Sequence, residues 1–411
     1  MNKSLIFFIT LFVYCSSHCH LASDNRAVVI VPVADLSGTP LARYASHPLA
    51  RHYESFSFAP DKGFFGCLRM HQLKYNEVVL IKSAEKGNEE VECEVLNLFY
   101  VDGKQIKRSN FWMLKKNLMS LSKLSKKMDI GVIPSPITMH QKPHEYNRNV
   151  LTLALPWYDS TTNKHYAAGT RFMRCKSFDR KAAYAVYCVD YEHFNVEVCH
   201  VPKNKAVVQY PKTPEKATDL FLKLLKSWAN ENNGCIPYVY GGCSFTSRNT
   251  EGGYSLMRGK RCGSVVTFWE RRSMGEKPRA GFDCSGMILT AAQIVGMPYF
   301  LKNTYTISKR YLRPLAVGEK LESGDLLWYS GHIIVVSDVQ KNLLIESVGY
   351  EPGYGKVHEV SVSKVFRGIK DYATLVHAYH NGRYLQRLTR AGKVFKRVYR
   401  INFFKIKSLW A

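Results

Sequence analysis

Past residue 23 the chain has no CxxC pair and no cysteine–histidine set at zinc spacing. Closely spaced ligands of that kind mark structural zinc sites, so a metal site is not expected. A membrane span is missing as well, since no run past the leader approaches the roughly 20 apolar residues that a crossing helix needs. Acidic residues are scarce, 33 against 58 lysines and arginines, leaving a formal charge of +25. A field of that size attracts anionic polymers or anionic membrane surfaces, although scattered surface lysines produce the same sum. Helical periodicity is also thin between residues 26 and 210.

The first stretch present is a leader. Leu5 to Tyr14 form an apolar run after Lys3, followed by small and polar residues up to Ala22 and Ser23. It is too short to span a bilayer and has the flanks of a secretory signal peptide, residues 1–23. Export argues against nucleic acid as the partner of the positive charge. Cys15 and Cys19 fall in the leader without the Leu-Ala-Gly context of a lipid-modified cysteine. Nine cysteines follow in a compartment where disulfides can form.

From residue 26 the chain reads as short strands separated by turn formers, among them Ala27–Val33, Val78–Ile81, Val91–Val95, Val150–Leu155, Ala182–Val189 and Val196–Val201. That pattern argues for small barrels or sandwiches. The length fits two β units, residues 26–125 and 140–208, with a break at Pro134-Ser135-Pro136. Phe111–Leu114 is expected to close the first. A helix follows: Thr213 is a good N-cap, Pro214 stands where proline is tolerated, and Glu215 suits the positive end. Leu220, Phe221, Leu224, Leu225 and Trp228 share one of its faces.

The chemistry is concentrated further on. Gly281-Phe282-Asp283-Cys284-Ser285-Gly286 runs into the apolar stretch Met287–Val295, which ends at Gly296 and Pro298. This predicts a buried helix with Cys284 at its N-terminus, where unpaired N–H groups and the dipole favour a thiolate. A lowered thiol pKa is therefore expected. Downstream, Ser323–Tyr329 is a turn and strand, and Ser330-Gly331 leads to a second strand that opens with His332. That histidine can supply the base of a Cys–His pair.

With Pro237-Tyr238-Val239-Tyr240-Gly241-Gly242 upstream, these stretches resemble the NlpC-type cysteine peptidases of bacterial cell-wall metabolism. The motif set, PYxxGG then GFDCSG then GDLLxxxxHIIVV, is specific in combination and covers residues 214 to 380. The resemblance implies a multidomain protein: two small all-β SH3-like barrels, then an α+β papain-like catalytic domain over 211–381. The segment His71–Ile81 is similar to a strand of bacterial SH3-like domains that precede the catalytic domain in one branch. The implied activity is hydrolysis of peptidoglycan stem peptides, most often between γ-D-glutamate and a diamino acid, in the periplasm or envelope, without a cofactor. An amidase or acyl transferase on the same thiol scaffold, or a silent wall-binding protein, is the alternative.

Residue by residue, the resemblance makes Cys284 the nucleophile and His332 the base. Glu346 stands on the next strand where the family places histidine, asparagine or glutamine to orient that base, so Glu346→Gln is expected to be milder than His332→Ala. Tyr238 would add a hydroxyl to the oxyanion site beside Tyr240, and Asp283 and Ser285 would line a subsite. If Tyr75-Asn76-Glu77 matches the branch's Y-x-E strand, Glu77 and Asp283 clamp a free N-terminal L-alanine ammonium; otherwise Glu77 is a surface glutamate. Eight cysteines then remain, Cys67, Cys93, Cys175, Cys188, Cys199, Cys235, Cys243 and Cys262, with pairing open. The 38 residues 243–280, between Gly242 and Gly281, are either a lid or an inert loop. The tail 382–411 carries nine cations and no acid, and reads as a frayed terminus or a basic segment that adheres to anionic lipid or envelope polymer.

Overall fold

The computed structural model describes residues 25–40, 69–84, 89–101, 107–108, 110–208, 213–230, 236–246, 280–309, 311–349 and 351–410. The expected signal peptide, residues 247–279 of the insertion, and Cys67, Cys235 and Cys262 lie outside them. The architecture is β-rich with few helices.

Seven strands of the first unit form one antiparallel sheet: β1 (Arg26–Val29), β2 (Val33–Ser37), β3 (Arg69–Lys74), β4 (Val78–Ser83), β5 (Glu90–Val95), β6 (Asn110–Leu114) and β7 (Leu118–Ser120). Their order is β3-β2-β6-β5-β4-β1-β7. The segment His71–Ile81 is therefore two strands, broken where Asn76 takes φ 68°. Asparagine tolerates that left-handed geometry, and the turn sends β3 and β4 to separate places in the sheet. Phe111–Leu114 lies inside the sheet, between β2 and β5, instead of closing it.

The second unit consists of short hairpins around Val150–Leu153, the longest being Ala183–Asp190 with Asn195–Pro202. Its Leu151, Trp157, Phe172 and Val186 share one apolar cluster with Val28, Tyr75 and Leu124 of the first unit. The two units thus do not keep separate cores.

Helix α1 (Pro214–Ala229) starts as expected. Thr213 accepts a hydrogen bond from the Lys216 N–H at 3.4 Å, and Phe221, Leu224, Leu225 and Trp228 are buried. Helix α2 (Cys284–Ile294) is buried almost throughout. Both pack on an antiparallel sheet built from β8 (Leu326–Tyr329), β9 (His332–Asp338), β10 (Leu343–Val348) and β11 (Lys356–Ser361). Side chains alternate across such a strand with period two. Ile333, Val335 and Ile345 accordingly pack with the helices, while Ile334, Val336 and Leu344 pack on the opposite face with Leu375 and Ala378.

The tail is not frayed. Residues after 381 form the hairpin β12 (Leu385–Leu388) and β13 (Val394–Val398), and then β14 (Ile401–Lys405), which pairs with β8. The sheet runs Arg313–Pro314, β14, β8, β9, β10, β11, so the boundary drawn at residue 381 cuts through it. The alternation of Leu385, Val398, Ile401 and Phe403 with cations is a strand pattern whose apolar side is core. Two of the nine cations, Arg387 and Lys405, are buried in ion pairs.

Candidate active site

Cys284 is the first residue of α2, and Asp283 caps the helix by accepting the Gly286 N–H at 2.5 Å. The motif glycines are there for room. A Cβ on Gly286 would overlap the Gly242 carbonyl oxygen, and one on Gly242 would overlap that of Gly281. The PYxxGG and GFDCSG loops therefore touch backbone to backbone, which glycine alone permits.

The first β unit supports this contact. Arg69, fully buried, pairs with Asp35 at 2.7 and 2.9 Å and donates to the Tyr240 carbonyl at 3.3 Å. Gln72 accepts the Cys243 N–H at 3.1 Å.

Cys284, His332, Tyr238, Tyr240, Asp283 and Ser285 line one cavity of about 390 Å³. No hydrogen bond joins the Cys284 sulfur to the His332 ring. Glu346 is the hub of the wall behind His332. It accepts a hydrogen bond from His332 Nε2 at 2.7 Å and from His358 Nε2 at 3.2 Å. Arg387, from the tail hairpin, donates to both its oxygens at 2.7 and 2.8 Å and to the Tyr329 hydroxyl at 2.6 Å. Burial raises the Glu346 carboxyl, but the Arg387 charge and the two histidine bonds outweigh it and hold it well below the usual range. An anionic Glu346 places the proton on Nε2 and leaves Nδ1 of His332 as the basic nitrogen.

The expected low thiol pKa is not found. Burial first and Asp283 second push the Cys284 thiol up to about 12, against Lys302 and the backbone N–H groups of Ile333 and Ser285. The dipole supplies only about half a charge, and loss of water from the thiolate outweighs it. Burial likewise lowers His332 to about 4, against the pull of Glu346. The resting pair is thus neutral thiol and neutral imidazole. Iodoacetamide alkylation of Cys284 should therefore keep accelerating above pH 9, whereas a plateau reached below pH 8 would mean a preformed thiolate.

The ammonium clamp is not built. Glu77 is absent from the cavity lining; it accepts the Lys74 N–H at 2.7 Å and pairs with the Lys74 ammonium at 3.1 Å. Asp283 is already matched, with Lys302 Nζ at 2.6 and 2.5 Å from its two oxygens and 3.3 Å from the Ser285 hydroxyl. Burial would lower Lys302, but Asp283 more than reverses this and keeps the ammonium charged. The chain carries its own cation in that place. Lys302 sits on the two-residue strand Leu301–Lys302, which pairs in parallel with Phe99–Val101, so its position depends on a contact some 200 residues away in sequence. Lys302, His358 and Arg387 all escaped the sequence reading, because nothing local distinguishes them from other lysines, histidines and arginines.

The thiol and the imidazole line one cleft, with the Glu346 carboxylate behind the ring; the thiol opens a helix that packs on the antiparallel sheet carrying the other two. The fold is similar to that of a solved NlpC/P60 family protein from Bacillus cereus ATCC 10987. The TM-score is 0.52 at 15% identity, covering 82% of this chain and 94% of that one. The likeness at this identity is one of fold. No family model matches the sequence, and no curated protein does.

Proposed function

We propose that the chain is an exported cysteine peptidase of the NlpC type that hydrolyses peptidoglycan stem peptides between γ-D-glutamate and a diamino acid. The observation that carries this reading is the shared cavity of Cys284 and His332, with Glu346 on the far nitrogen of the ring. In this mechanism His332 Nδ1 takes the thiol proton as the sulfur attacks the scissile carbonyl. The Cys284 N–H and the Tyr238 hydroxyl receive the oxyanion. The C–N bond then breaks, His332 returns the proton to the leaving amine, and water hydrolyses the thioester. Glu346 stabilises the transient imidazolium. Asp283 and Ser285 shape the subsite beside the nucleophile.

The test is mass spectrometry of digests of L-Ala-γ-D-Glu-diaminopimelate peptides and of intact sacculi. Release of L-Ala-γ-D-Glu supports the proposal; release of whole stem peptides from glycan would make the enzyme an amidase instead. Because Lys302 already neutralises Asp283, a free N-terminal amine should bring no advantage. Free and N-acetylated peptides should be cleaved with kcat/KM within about threefold of each other. A preference of a hundredfold or so for the free amine would show that Asp283 can exchange Lys302 for a substrate ammonium.

A further inference from the structure

Among the described residues, the cavity holds one cation without an ion-pair partner; Glu351, on the same lining, lies beyond ion-pair distance of it. Lys302 is closed on Asp283, and Arg387 is closed on Glu346. Lys396, on β13, lines the same cavity, yet no carboxylate among the described residues lies within ion-pair distance of it. Its Nζ stands 5.0 Å from the centre of the Tyr329 ring, and Tyr329 lines the cavity beside His332. An ammonium on an aromatic face retains some stabilisation while its N–H groups stay available. Burial and Arg387 make its charge harder to hold, and the Glu351 carboxylate partly offsets this. A half-buried ammonium without an ion-pair partner, lining the same cavity as the nucleophile, gains most from an anion brought by the substrate.

We propose that Lys396 is a substrate-binding residue that pairs with a free carboxylate near the scissile amide. This rests on the peptidase reading for the identity of the substrate: a γ-linked glutamate keeps its α-carboxylate at the far end of a three-carbon chain from the scissile carbonyl, and the diamino acid carries a carboxylate on the carbon bonded to the scissile nitrogen. The anion site itself does not depend on that reading. It also gives the tail a role that its charge count does not suggest, as a hairpin that brings two cations to the cleft, Arg387 for Glu346 and Lys396 for the substrate.

Two measurements on the full chain test it. In the first, Cys284 is alkylated with iodoacetate and with iodoacetamide, which differ by a carboxylate, and the ratio of the two rates is compared among variants. Lys396→Gln should lower that ratio about tenfold or more, while Lys396→Arg and the exposed hairpin control Lys393→Gln leave it within about twofold. Using the ratio cancels any change in thiol pKa. An unchanged ratio in Lys396→Gln, or an equal fall in Lys393→Gln, overturns the site. In the second, peptides with γ-D-glutamate or D-isoglutamine, and with free or amidated diamino acid, are cleaved by wild type and Lys396→Gln. Loss of discrimination at one carboxylate identifies the partner, and equal loss for all peptides overturns a recognition role. If wild type cuts none of them while the alkylation ratio behaves as expected, the peptidase reading fails and the anion site stands.

Discussion

Cys284→Ala is expected to lower kcat/KM by roughly four to six orders of magnitude with little change in the denaturation midpoint. The side chain removed is small and sits at the mouth of α2, so the fold loses little, whereas covalent catalysis loses the only thiol that lines the cavity among the described residues. His332→Ala should be comparably damaging, because a neutral resting thiol has to give up its proton during attack. Activity should therefore require unprotonated His332 and persist well below pH 6.5, falling toward pH 4 where that ring protonates. Turnover of stem peptide by Cys284→Ala at more than about a hundredth of the wild-type rate would remove this residue from the mechanism.

The second large effect concerns Glu346 and Arg387. Both are fully buried, so removing either charge strands the other; breaking a buried pair in this way costs about 3–5 kcal/mol. Glu346→Gln should therefore lower the denaturation midpoint as well as activity, although an amide in that place was expected to be mild. Arg387→Met should destabilise similarly, and Glu346→Gln with Arg387→Met should recover most of the stability but not the activity. A wild-type midpoint in either single variant would mean that the pair contributes nothing to the fold. Acid acts in the same direction. His332 titrates lower in the folded than in the unfolded chain, so the unfolded state binds the extra proton and stability declines as pH falls from 6.5 toward 4. Glu346 adds to the loss below its ordinary value of 4.5, since its folded-state pKa is held well under that.

Local chemistry was legible where a short segment contains its own cause. Asp283 caps α2 three residues before the N–H it accepts, Thr213 does the same for α1, and the strands opening at Leu326, His332 and Leu343 follow from apolar runs between turns. The pairing of Cys284 with His332 followed from the family resemblance of the motif set, and both residues line one cavity. The split at Asn76 was missed because period-two apolarity continues across a turn that a single left-handed residue can make.

By itself, then, the sequence determined the helices that begin at Pro214 and Cys284 and several of the strands, and through the family resemblance it singled out Cys284, His332 and Glu346 as a set worth testing. Only the tertiary structure decided the charge state of that set. The thiol is raised by burial, Glu346 is kept anionic by an arginine 41 residues further on, and Asp283 is neutralised by a lysine that another strand holds in place. Desolvation and ion pairing depend on which groups meet in space and how much water is left between them. Neither quantity is carried by a residue's neighbours in the chain, and for that reason the tail looked like a solvated basic segment until its alternating side was found in the sheet.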